Sequence, residues 1–165
     1  MKKIIYIIPG QGENCNVIRY QKLVQVLKNK GYIVNPVNPN WYKPLSEQVF
    51  PIEKDAILFG FSFGAILAYL IAQKFSCRKV IFASISPIHT FSYSSLVKDC
   101  QEYMSKDEAV AIAVDIKKIT ISLESLKVPF VTLAGEREKI KADFLVPRTG
   151  HKITEAYIKC IENLV

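Results

Sequence analysis

The sequence predicts an α/β fold, a mostly parallel sheet of about six strands with helices on both faces. Three observations predict it. Short apolar runs alternate along the chain with longer segments whose apolar residues recur at helical spacing. The runs lack the in–out alternation of a half-wet strand, as expected of strands buried on both sides. Glycines and prolines punctuate the junctions. Strands alternating with helices form βαβ units, and hence parallel pairs. At 165 residues the chain is expected to be one domain, residues 1–165, with one sizeable core. Half its residues are hydrophobic, which argues against disorder.

Ile4 to Ile8 reads as the first strand, broken by Gly10 and Gly12. Within 16–30, Val17, Tyr20, Leu23, Val24 and Leu27 keep a helical spacing, and Gly31 suits the C-terminal cap. Tyr32 to Val37 is the second strand. Pro36, Pro39 and Pro44 mark a loop after it, and a short helix is expected over 45–50. Ala56 to Phe59 is the third strand. The helix expected over 63–75 is apolar nearly all round, so it should be central and covered. Val80 to Ile85 is the fourth strand, and 94–118 is mainly helical with a break near Ser105. Val128 to Ala134 and the short Phe144 to Val146 are the last strands. A closing helix over 152–164 carries the stripe Ile153, Ala156, Tyr157, Cys160, Ile161 and Leu164.

Composition excludes several classes. The formal charge is +7, but the lysines are spread and no basic stripe is interleaved with aromatics, so no nucleic-acid partner is expected. Lys2 and Lys3 precede an apolar run too short for a signal peptide, and no stretch is long enough to span a membrane. A cytoplasmic location and no membrane association are therefore expected. Cys15, Cys77, Cys100 and Cys160 form no C-x-x-C pair, so no metal site is expected and small buried thiols are. Cys15 alone of the four lies near a loop with functional character.

Chemistry enters at Gly60-Phe61-Ser62-Phe63-Gly64, a G-x-S-x-G run between the third strand and its helix. The chain must reverse within a few residues, and side chains at 60 and 64 would collide with neighbouring backbone. The turn aims Ser62 out of the carboxyl edge of the sheet, where open α/β folds bind ligands. A serine hydroxyl needs a base. The chain has two histidines, His89 after the fourth strand and His151 before the last helix.

The run from Ala56 to Tyr69 resembles the central strand, nucleophile elbow and following helix of the α/β-hydrolases, and the resemblance extends over nearly the whole chain. That family often has His where Phe61 stands and Gly where Ala65 stands. The resemblance implies Ser62 as nucleophile. Its order of nucleophile, acid, histidine implies His151 as base, with His89 a loop or pocket-wall residue. Leu133 to Glu138 resembles the family's strand followed by Gly-x-x-Asp, which implies Glu138 as the acid that orients the imidazole. Glu136 is the alternative and Asp143 the third candidate. Pro9-Gly10-Gln11-Gly12 resembles the family's oxyanion loop, which implies the backbone N–H groups of Gln11 and Phe63 as the oxyanion hole.

The chain begins at the strand leading into that loop, so the family's first two strands are expected to be absent. No room remains for a large lid, and an open site follows. Phe61, His89 and Trp41 are candidate pocket residues. The resemblance implies a serine hydrolase acting on a small-molecule ester or thioester through an acyl-serine, without cofactor. Amide or peptide cleavage by the same groups, or a non-catalytic interaction protein on this scaffold, are the alternatives. Arg137, Lys139, Lys141, Arg148 and Lys152 surround the expected acid and histidine, which raises the expectation of an anionic substrate. The sequence is silent on oligomeric state.

Overall fold

A computed structural model describes residues 2–85 and 92–165. Six strands form one all-parallel sheet: β1 (Ile4–Ile8), β2 (Ile33–Pro36), β3 (Ile57–Phe61), β4 (Lys79–Ala83), β5 (Phe130–Gly135) and β6 (Phe144–Val146), in the order β2-β1-β3-β4-β5-β6. The order reverses between β1 and β3, and the carboxyl ends of these two strands form the crevice where such sheets place ligands.

Successive side chains of a strand face opposite sides, and β3 divides its residues accordingly. Ile57, Phe59 and Phe61 pack with Ile5, Ile7, Tyr20, Leu23, Tyr157 and Ile161 under α1 (Ile18–Asn29) and α5 (Glu155–Leu164). Leu58 packs on the other face with Val80, Phe82 and the inner side of α2 (Phe63–Lys74). The outer side of α2 carries Ile66, which meets Leu96, Ile112 and Ile116 from α3 (Tyr93–Gln101) and α4 (Lys106–Lys118). A helix covered on both sides needs no polar stripe, which explains the nearly uniform apolar run of α2.

The break expected near Ser105 is present: Ser105 caps α4 in a reciprocal box with Glu108, so 94–118 is two helices. Several boundaries differ from the sequence expectation, each for a local reason. The segment 45–50 forms only a 3-10 turn, Leu45–Gln48. β4 stops at Ala83 instead of running to Ile85, since Ser84 turns to φ 51° although its N–H still donates to Leu133 O of β5. β3 runs two residues further than expected, directly into Ser62. α5 starts at Glu155, after Thr154, whose hydroxyl accepts from the Tyr157 N–H. α1 ends at Gly31, φ 82°, with Tyr32 N–H reaching Leu27 O and Gly31 N–H reaching Lys28 O, the pairing of a Schellman cap.

Candidate active site

β3 delivers Ser62 into a turn with φ 54° and ψ −119°, a conformation strained for a residue with a Cβ. The two glycines permit it. A Cβ on Gly60 would lie 2.3 Å from Gly64 O, and one on Gly64 would lie 2.2 Å from Pro9 O. Ser62 N–H donates to Ala83 O at 2.8 Å, which ties the turn to β4.

The loop after β6 brings His151 over this turn, and the 3-10 turn after β5, Glu136–Glu138, brings Glu138 beneath the ring. His151 Nε2 lies 2.9 Å from Ser62 Oγ, and His151 Nδ1 lies 2.7 Å from Glu138 Oε2. The other Glu138 oxygen accepts from Gly135 N–H at 2.6 Å and Ser84 Oγ–H at 2.7 Å. Its side chain is only 4% exposed, so these bonds must satisfy a carboxylate that water barely reaches. Burial pushes the Glu138 carboxyl up; the bonds from His151, Ser84 and Gly135 outweigh it and hold the group below the usual carboxylate value. An ionised Glu138 only accepts, so Nδ1 of His151 carries the proton and Nε2 is free to accept from Ser62. Phe61 packs against the imidazole with ring centroids 5.0 Å apart, and Tyr157 meets Phe61 edge-on.

The acid and histidine loops are joined by backbone. Arg137 N–H donates to Thr149 O at 2.9 Å, and Gly135 is so close that a Cβ there would lie 2.4 Å from the same oxygen. Glu136 accepts from Arg148 N–H at 2.8 Å and so braces the histidine loop without touching the ring. Asp143 binds Thr132 on β5.

Across the crevice, Gly10 to Glu13 form a tight turn closed by Glu13 N–H to Gly10 O at 3.0 Å, with Gly12 at φ 71°. The backbone N–H groups of Gln11 and Phe63 donate to no other described residue. Four side chains anchor the turn. Tyr20 Oη accepts from Gly10 N–H at 3.0 Å and donates to Glu13 at 2.7 Å; Glu13 also pairs with Arg19, and Trp41 Nε1–H donates to Glu13 O at 2.6 Å. Burial pushes the Tyr20 phenol far up, so it stays a protonated donor.

Sequence reasoning did not single out Ser84, Tyr157, Glu13 or Tyr20. Tyr20 and Tyr157 carried only the signal of an apolar helix stripe, yet their hydroxyls hold the two loops of the site; Tyr157 Oη lies 2.7 Å from Ser84 Oγ. Trp41 stands beside the groove. It does not line the groove at Ser62. It is anchored on Glu13 and lines an adjoining cavity, because its indole N–H needs that buried carbonyl. Phe61 does line the Ser62 groove, which has a volume of about 300 Å³. His89 lies outside the described residues. Cys15 is structural: it is 4% exposed, its thiol faces Ile7 O and Val37 O, and burial pushes it up to about 11. Among the described residues no group of His, Cys, Asp and Glu is arranged to hold a metal, and no helix is long and apolar enough to cross a membrane.

No family model and no curated protein matches the chain by sequence. Solved structures do match by shape. Alpha/beta hydrolase domain-containing protein 10 from mouse is 15% identical with a TM-score of 0.67, over 98% of this chain and 87% of that one. An α/β-hydrolase enzyme from a metagenome of lagoon sediments at Mar Chica, Morocco, is 16% identical with a TM-score of 0.68, over 99% and 89%. An esterase from Exiguobacterium antarcticum is 12% identical with a TM-score of 0.67, over 98% and 90%. The chain has the α/β-hydrolase fold. In this fold a G-x-S-x-G turn exposes a serine at the top of the sheet, and acid and histidine follow it in the chain. Ser62, Glu138 and His151 stand in that order, with His151 in hydrogen-bond reach of both others. Phe63 follows Ser62 as the first residue of α2, and Gln11 lies in the turn after β1.

Proposed function

We propose that the chain is a serine hydrolase that cleaves a small ester or thioester through an acyl-serine, with no cofactor. The observation that carries this is the relay of Ser62 Oγ, His151 Nε2, His151 Nδ1 and Glu138 Oε2 at 2.9 and 2.7 Å, mounted on a strained elbow. Among the solved structures of similar fold are an esterase and two α/β-hydrolase proteins, which favours ester chemistry.

In the first half-reaction Ser62 Oγ bonds to the acyl carbon while His151 Nε2 takes its proton. The carbonyl oxygen becomes an oxyanion, for which the unclaimed N–H groups of Gln11 and Phe63 are the donors. Glu138 keeps the imidazole in the needed tautomer and stabilises its cation. His151 then gives the proton to the departing oxygen or sulfur as the acyl bond breaks. In the second half-reaction water adds to the acyl carbon and its proton goes to His151. The acid leaves as that proton returns to Ser62 Oγ. Phe61 holds the ring in place throughout.

A fluorophosphonate probe followed by peptide mass spectrometry tests the proposal. The expected result is labelling on Ser62, and turnover of short p-nitrophenyl esters that falls on the order of a thousandfold or more in Ser62→Ala. An unlabelled, inert but folded protein would identify a non-catalytic member of this fold instead.

A further inference from the structure

Two cavities of about 300 Å³ each meet at the Gly10 to Glu13 turn and share Gln11, Glu13 and Tyr103. One is the groove at Ser62. The other has a different chemistry: Trp41, Tyr42, Tyr103 and Met104 line it, so its walls are aromatic faces and a thioether. Tyr42 and Tyr103 are 54% and 59% exposed, large apolar rings left open to solvent at the mouth of a cleft.

The charge of the cleft runs against the charge of the molecule. The chain has a formal charge of +7, yet the described residues lining the Ser62 groove include Glu13, Asp99 and Glu102 and no Lys or Arg. Arg137, Lys139, Lys141, Arg148 and Lys152, the basic residues flanking the acid and histidine, are not among them. Glu13 is neutralised by Arg19. Asp99 and Glu102 form no ion pair among the described residues. Both stand at the C-terminal end of α3, where the helix dipole is already negative and a carboxylate is disfavoured. Gln11 Nε2 donates to Cys100 Sγ at 3.1 Å and fixes that helix end against the turn. Asp99, Glu102 and the Tyr103 ring line the Ser62 groove, and Tyr103 also lines the adjoining cavity with the Trp41 and Tyr42 rings. A cation gains from each of them, by charge attraction at the carboxylates and by the ring quadrupole at the aromatics. A substrate carboxylate would be repelled by the same groups.

We infer that the two cavities form one substrate cleft, and that the substrate of the proposed hydrolase carries an ammonium group held between Asp99, Glu102 and the Trp41, Tyr42 and Tyr103 rings. This rests on the proposed ester hydrolysis at Ser62 and narrows its substrate class.

Matched ester pairs test it. Acetylcholine and 3,3-dimethylbutyl acetate share shape and differ in one charge on the alcohol. The methyl esters of 4-(trimethylammonio)butyrate and 5,5-dimethylhexanoate make the same comparison on the acyl side. The expected result is a kcat/KM at least about tenfold higher for the charged member of one pair, the pair showing which side of the bond enters the aromatic lobe. In Asp99→Asn/Glu102→Gln that ratio should collapse toward unity. A second readout does not need turnover. Trp41 is the sole tryptophan, so its fluorescence reports occupancy of the lobe. Phenyltrimethylammonium should change it saturably, and benzoate should not. Equal rates within both pairs with a silent Trp41 would overturn the inference and leave the hydrolase standing. Absent fluorophosphonate labelling and absent turnover would overturn the hydrolase, and the Trp41 titration alone would then carry or sink the cation site.

Discussion

Burial and hydrogen bonding pull Glu138 in opposite directions, and the outcome sets the chemistry available at His151. A nearly buried carboxylate would protonate if unpartnered. The Gly135 N–H, the Ser84 hydroxyl and the His151 Nδ1–H keep it ionised, and an ionised acceptor fixes the imidazole tautomer. Replacing Glu138 by Gln keeps the shape and removes the charge. Turnover is expected to fall on the order of 10³-fold or more, as loss of tautomer control does in a triad. Glu136→Gln leaves a weaker, neutral acceptor for Arg148 N–H and should cost less than about tenfold. The reverse ranking would give the acid's role to Glu136. Stability carries the same signature. The folded pKa of Glu138 lies below its ordinary value of 4.5, so its contribution is fully present above that value and is lost as pH falls through the folded value. Protonated Glu and Gln are near-isosteres, so the gap in urea midpoint between wild type and Glu138→Gln should be open at neutral pH and close in strong acid. A gap independent of pH would show that Glu138 acts by packing. Ser62, His151 and Glu138 could be singled out in the sequence because each sits beside a local signal: a glycine-flanked serine, a histidine before a helix, a strand ending in Gly. Ser84 could not, since its Glu138 contact spans 54 residues and its own neighbours are ordinary.

Among the elements, the elbow is specified by what its glycines exclude. The Gly64 position meets Pro9 O at 2.2 Å and Ile8 O at 2.4 Å, both backbone atoms of β1 and its loop, so a methyl there cannot be absorbed by a rotamer change. Gly64→Ala is expected to lose about 3 kcal/mol or more, the upper range for overpacking, measured by urea unfolding. Gly150→Ala is the internal control. Its Cβ meets nothing within 4 Å and its φ is not positive, so its stability should change by less than about 0.5 kcal/mol although it adjoins His151. Equal losses in the two variants would mean that steric exclusion at Gly64 does not govern the elbow. The number and kind of strands were legible because a strand buried on both faces reads as a continuous apolar run. Their ends were less so. β4 yields to a left-handed Ser84 because Leu133 O, from the neighbouring strand, accepts its N–H at 2.6 Å. That is a tertiary contact with no counterpart in the local sequence. The 94–118 stretch divides where Ser105 and Glu108 form a capping box, and here the sequence did carry the signal, as a serine three residues before a glutamate.

For the whole molecule, strand order is the feature that makes the crevice, and it was not written in any one run. Each apolar strand would accept any neighbour, so the β2-β1-β3-β4-β5-β6 order follows from the helices' lengths and the faces they cover. The same scale decides how a charged substrate approaches. The net charge of +7 repels a cation at long range, while Asp99 and Glu102 attract it at the groove. The two effects have different reach. Salt at physiological strength screens beyond about 8 Å, so it removes the whole-molecule field first and weakens contacts inside the cleft less. Three salt profiles of kcat/KM therefore separate the scales. If the net charge governs encounter, the rate for a choline ester rises with salt. If the local carboxylates govern it, that rate falls as salt increases. The neutral 3,3-dimethylbutyl ester should stay flat in either case and corrects for any effect of salt on the protein. The carboxylates stand at the opening itself and form no ion pair among the described residues, whereas the lysines are dispersed over the chain. A falling profile for the charged ester is thus expected, becoming flat or rising in Asp99→Asn/Glu102→Gln. A profile that already rises in the wild type would assign recognition to the protein's overall field and remove Asp99 and Glu102 from it.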